Sequence, residues 1–104
     1  MMLARFELQT RFGRQQEALE LFAEWDRAVG DKIGWTREKR RILTGSVGAC
    51  ESTVVTELLI ENLAELEAAW QKIGQFPEHA EWGKRLEPLI VSGSERWEIF
   101  HIHD

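Results

Sequence analysis

Hydrophobic and polar residues alternate from Met2 to Gln9, with Ala4, Phe6 and Leu8 on one face and Leu3, Arg5, Glu7 and Gln9 on the other, which predicts a first strand. The period then changes. Between Arg14 and Val29 the apolar residues Ala18, Leu21, Phe22, Trp25, Ala28 and Val29 recur at helical spacing, and Gly30 ends that helix. Asp31 to Thr36 has no clear period and reads as an irregular connection around the isolated Trp35. Glu38 to Ser46 reads as a second strand. The basic residues Arg37, Lys39, Arg40 and Arg41 that lead into it suit an edge strand, where like charges discourage unwanted pairing, better than an anion site. Gly48 to Ser52 then turns the chain into a hairpin.

The hairpin delivers the most apolar stretch. Thr53 to Ile60 places Val54, Thr56, Leu58 and Ile60 on one face and Thr53, Val55, Glu57 and Leu59 on the other, so both faces are largely apolar and the strand should be central. Asn62 followed by Glu65 forms a capping-box variant at the start of a helix carrying Leu63, Leu66, Ala69, Trp70 and Ile73. Gly74 is the predicted stop. Pro77 fits the first position of another helical segment, with Ala80, Trp82, Leu86, Leu89 and Ile90 as its packed positions. Glu95 to His103 alternates again, with Trp97, Ile99, His101 and His103 on one face and Arg96, Glu98, Phe100 and Ile102 on the other. The βαββαβ order with a central hairpin predicts an α+β, ferredoxin-like domain over residues 1–104, an antiparallel four-stranded sheet with helices on one face.

Helices on one face leave the other uncovered. If Ala4, Phe6, Leu8, Val54, Leu58, Phe100 and Ile102 meet the helices, then Leu3, Val55, Leu59, Trp97 and Ile99 face outward. An apolar surface of that extent is rarely left in water. A second copy packed sheet to sheet is the simplest cover, so a homodimer is expected.

Composition narrows the partners. With 43% hydrophobic and 30% charged residues and only two prolines, the chain belongs with globular proteins and not with disordered ones. A formal net charge of −5 argues against nucleic acid and against anionic membrane surfaces. No apolar run approaches the ~20 residues of a membrane span, and the N-terminus lacks the features of a signal peptide. Cys50, the single cysteine, forms no intrachain disulfide. A cytoplasmic protein is expected.

The central strand with Glu57, the acidic helix from Asn62, the segment Pro77-Glu78 with Trp82, and the run Leu86-Glu87-Pro88-Leu89-Ile90 together resemble the dimeric α/β-barrel superfamily. Within it the chain is most similar to the NIPSNAP family, over about Leu3 to Ile102. The first hairpin departs from that family, whose connection is shorter and contains glycine, whereas Arg37 to Arg41 make this one longer and basic. The resemblance implies a dimeric barrel. It implies no single activity, because NIPSNAP-like proteins have no settled general one.

With the faces placed as above, Arg5, Glu7, Glu57, Trp97 and His101 all point into the space between two packed sheets. A carboxylate, a cation and aromatic surface in a partly dry cavity could bind a small polar aromatic ligand or move a proton. The same groups could equally pair across the sheet and only satisfy one another. The expected function is therefore small-molecule binding between the sheets, with Arg5, Glu7 and Trp97 as ligand contacts. The alternative, which the superfamily supports, is a cofactor-independent monooxygenase or isomerase acting on a small aromatic or polyketide-like substrate. There Glu57 or His101 would accept the proton and Arg5 would hold an oxyanion.

No metal and no cofactor are expected. His101 and His103 share a strand face, but only Glu57 or Glu7 could supply a third ligand. Trp70 and His79 are loosely similar to the tryptophan and haem-ligating histidine of haem-degrading monooxygenases in the same superfamily. Their spacing differs, and Gln9 stands where those enzymes use asparagine. His79 is expected in solvent, and Trp25, Trp70 and Trp82 in the core.

Overall fold

Strand β3 (Thr53–Ile60) sits inside the sheet, as its two apolar faces require. In the computed structural model, which describes residues 1–103, it is flanked by β2 (Arg40–Thr44) and β1 (Met2–Gln9), and β4 (Arg96–His101) forms the far edge. The order β2-β3-β1-β4, with every pair antiparallel, is the ferredoxin-like α+β arrangement. Helices α1 (Gln15–Ala28), α2 (Leu63–Ile73) and α3 (Pro77–Leu86) complete it. The connection after α1, expected to be irregular, includes a 3₁₀ turn at Gly30–Ile33, and Trp35 beyond it is buried. The second strand is shorter than the predicted Glu38 to Ser46 because Thr36 to Lys39 form a turn, closed by the Lys39 N–H on the Thr36 carbonyl.

The start of α2 is set by its cap. Asn62 Oδ1 accepts the Glu65 N–H at 2.9 Å, and Glu65 Oε2 in turn accepts a backbone N–H at 2.6 Å from Glu61, one residue earlier than in the usual capping box. Asn62→Ala should therefore lower thermal stability by about 1 kcal/mol, read as a shift of the melting midpoint, while Asn62→Ser should recover most of the loss.

Even-numbered residues of β1 and β3 meet the helices. Ala4, Leu58, Ile60 and Leu66 pack with Trp25, Val29 and Trp35 in one core cluster, and Leu8, Val54 and Phe22 pack with Leu86, Leu89 and Ile90 in another. Trp82 touches both.

The last strand is turned over relative to expectation. Its register pairs Met2 with His101, Ala4 with Ile99 and Phe6 with Trp97, so Trp97, Ile99 and His101 share the helix side with Ala4 and Phe6. Arg96, Glu98 and Phe100 take the open side, where Phe100 had been expected to meet the helices. Alternation fixes which residues of a strand share a face but not which face is inward, and a shift of one residue inverts them all. Three partners decide it here. Trp97 packs on Phe6 with ring centroids 5.0 Å apart and on Trp70 at 5.4 Å, while Glu98 finds Arg5 on the other side at 3.1 Å.

Candidate functional site

All three helices and all four strands contribute to one chamber of about 360 Å³ on the helix side of the sheet. This volume falls in the range of small-molecule sites. All five tryptophans of the chain line it. One wall is Trp25 of α1 with Trp35 and Trp82, at centroid distances of 5.8 and 6.0 Å. The facing wall is Trp97 of β4 with Trp70 of α2 and Phe6 of β1. The tryptophans read as core thus border a cavity, and Trp70 remains 43% exposed.

Few polar groups interrupt this lining. Asp26 and Arg40 form an ion pair at 3.1 Å, with only 14% and 9% of their side chains exposed. Arg40 also donates to the Trp35 carbonyl. Gly30 permits this approach, since a Cβ there would lie 3.2 Å from the Trp25 ring and 3.3 Å from Arg40 Nη1. Burial raises the Asp26 carboxyl to about 6, and nearby Asp31 adds to the rise, while Arg40 and Arg27 pull the other way. Desolvation outweighs the ion pair.

His79 is not in solvent, contrary to expectation. Its Nδ1 accepts the indole N–H of Trp25 at 3.0 Å, and its ring stacks on Trp82. Burial lowers its pKa, so the ring is neutral at pH 7, and with Nδ1 accepting, the proton of the neutral ring sits on Nε2. Thr56 of β3 also lines the chamber, and its buried hydroxyl oxygen has no hydrogen-bond partner among the described residues. A hydroxyl left in that state is costly, and a polar atom of a bound molecule would relieve it.

The opposite sheet face carries a ladder of alternating charge. Along one rung Arg41, Glu57, Arg5 and Glu98 are cross-strand neighbours, and along the next Glu7 faces Arg96. Glu57 Oε1 accepts from Arg41 at 2.6 Å, Glu57 Oε2 lies 3.7 Å from Arg5, and Arg96 lies 3.5 Å from Glu7. Arg5, Glu7 and Glu57 are therefore together as expected, but each already has a partner of opposite charge. Trp97 and His101 lie across the sheet from them. Trp97 borders the chamber, whereas His101 is exposed near the end of β4, outside it. Among the described residues no group of three or more His, Cys, Asp or Glu is placed to hold a metal. No described helix is long and apolar enough to cross a membrane.

The sequence pointed to no site role for Asp26 or Thr56, assigned Arg40 to a charged edge and placed His79 in solvent. A signal existed for Arg40, which alternates with Ile42 and shares its inward face, and for Asp26, which follows Trp25 at the border of the apolar stripe of α1.

No protein-family model matches the chain, and no curated protein sequence matches it. Solved structures do. A NIPSNAP family protein from Agrobacterium tumefaciens superposes with a TM-score of 0.82 at 21% identity, over 99% of this chain and 93% of that one. An uncharacterised NIPSNAP domain protein from Burkholderia xenovorans gives 0.75 at 14% identity, over 99% and 95%. SnoaB, a cofactor-independent oxygenase from Streptomyces nogalater, gives 0.67 at 14% identity, over 99% and 94%. The chain has the ferredoxin-like fold that the NIPSNAP proteins share with this oxygenase.

Proposed function

We propose that the protein binds a small planar aromatic molecule in the chamber between helices and sheet, and that it does so as a cytoplasmic homodimer packed through the opposite sheet face. The observation that carries the reading is the pair of aromatic walls, Trp25 with Trp35 and Trp82 on one side and Trp97 with Trp70 on the other. Such walls offer ring faces and edges to a flat ligand, while Thr56 and His79 can orient a hydroxyl or carbonyl on it. This moves the site from between two sheets to within one subunit. Trp97 keeps its role as a ligand contact there, and Arg5, Glu7 and Glu57 become part of the subunit interface.

Titration with naphthol should quench tryptophan fluorescence saturably, with a Kd on the order of 0.1 mM for a ligand of this size. Linear, unsaturable quenching would remove the reading. The dimer rests on the exposed apolar residues Leu43 and Phe100 on the face that no helix covers. Sedimentation at micromolar concentration should give about twice the 12.1 kDa chain mass, and a monomer would refute it.

A second reading, a cofactor-independent oxygenase or isomerase, is favoured by one feature. A carboxylate whose pKa is raised to about 6, beside a mostly apolar aromatic chamber, is suited to accept a proton from an aromatic hydroxyl or an enolisable carbon. Asp26 replaces Glu57 and His101 in that role. Oxygen uptake with a dihydroxynaphthalene should then exceed the protein-free rate and fall at least tenfold in Asp26→Asn. Uptake at the protein-free rate would leave binding alone.

A further inference from the structure

The Asp26 and Arg40 pair has two unequal halves. Arg40 is a permanent charge, nearly buried, with five N–H donors of which one goes to the Trp35 carbonyl, and its Nη2 lies 3.1 Å from Asp26 Oδ2. Asp26 is a conditional charge, held against the cost of its own burial. Among the described residues no other carboxylate lines the chamber, and the further titratable side chain there, His79, is held neutral by burial. The remaining charges acting on Asp26 are Asp31, in the 3₁₀ turn after α1, and Arg27, its neighbour on α1. When Asp26 takes up a proton, the chamber therefore carries one uncompensated guanidinium beside aromatic walls.

We propose that the chamber takes a small aromatic monoanion, with its carboxylate on Arg40, and that Asp26 picks up one proton from solvent as it binds. This rests on the chamber being the ligand site. No covalent bond in the ligand changes. The ligand carboxylate replaces Asp26 as the counter-ion of Arg40, using the planar donor fork that suits a carboxylate. Two carboxylates within hydrogen-bond distance cannot both stay ionised, so the proton goes to Asp26, whose O–H then donates to the ligand. Because Asp26 releases its proton near pH 6, uptake at neutral pH reduces affinity by only about tenfold. The sign follows. Above about pH 6 each pH unit should weaken binding of the anion about tenfold, and below it the affinity should level off.

The experiment compares naphthoate, naphthamide and naphthylmethylammonium by fluorescence titration of the whole chain from about pH 6 to pH 8. Naphthoate should bind most tightly at the acid end and lose about tenfold per pH unit above it, while naphthamide should be flat. Calorimetry near pH 7.5 in buffers of different ionisation enthalpy should find about one proton taken up per naphthoate bound. Asp26→Asn should abolish the slope, and Arg40→Met should abolish the preference for naphthoate over naphthamide. If Arg40→Met does not fold, the slope in Asp26→Asn still decides. A pH-independent naphthoate affinity, a slope that survives in Asp26→Asn, or tighter binding of the ammonium would overturn the proposal. Naphthamide binding alongside any of these would leave the chamber as the ligand site, whereas no binding by any of the three aromatics would remove both.

Discussion

Trp97→Ala should weaken binding of a neutral aromatic probe at least tenfold and leave the subunit association unchanged, while Phe100→Ala should do the reverse. The two residues are three apart on one strand and point to opposite sides of the sheet. Trp97 supplies one aromatic wall, tilted against Phe6 and edge-on to Trp70, and losing one aromatic contact of this kind costs about 1.4 kcal/mol, or tenfold. Phe100, 45% exposed in the single chain, is an apolar group on the face proposed to pack against a second copy. In a two-fold interface each substitution acts twice, so a loss of about 1.5 kcal/mol per subunit should raise the dimer dissociation constant roughly a hundredfold. Fluorescence titration and sedimentation read the two effects separately. If Trp97→Ala instead dissociates the dimer and Phe100→Ala blocks the probe, β4 has the opposite facing.

Glu57→Gln should lower folding stability by about 1–3 kcal/mol and change the affinity for an aromatic probe by less than about twofold. Glu57 is buried even in the single chain, at 8% exposure, and bridges Arg41 and Arg5 from neighbouring strands. Glutamine keeps the shape but not the charge, so two guanidinium groups lose their shared counter-ion, and the loss grows if a second sheet covers them. Denaturant unfolding gives the stability change. A variant with unaltered stability and abolished probe binding would return Glu57 to the ligand site.

The elements were legible because each period is long and cleanly bounded. The alternation of Met2 to Gln9, the cap at Asn62 and the proline at the head of α3 each fix a local conformation without help from distant residues. Their order then leaves few topologies. The site was less legible, because it depends on which face of an edge strand turns inward and how far side chains reach. Trp97 and Ile99 are no more apolar than Phe100 and Ile102 as a pair, so the pattern of β4 was symmetric, and the choice came from Phe6, Trp70 and Arg5, all distant in sequence. Arg40 looked like one of four basic residues on an edge. Only the turn at Thr36 to Lys39 and the small Gly30 bring its guanidinium under α1 to Asp26. Arg5, Glu7 and Glu57 share one face as their alternation predicts, and charges inside an apolar strand need partners, but pairing across the sheet supplies them here.

The claim that the ligand enters between helices and sheet is tested most directly by the indole N–H resonances of the five tryptophans. Each indole belongs to a chamber-lining side chain, so titration of isotope-labelled protein with naphthol should shift all five. The backbone amides of Arg5, Glu57 and Phe100 should move much less. Shifts concentrated at Arg5, Glu57 and Phe100, with the indole signals of Trp25, Trp35 and Trp82 unmoved, would put the ligand on the other side of the sheet and contradict the account.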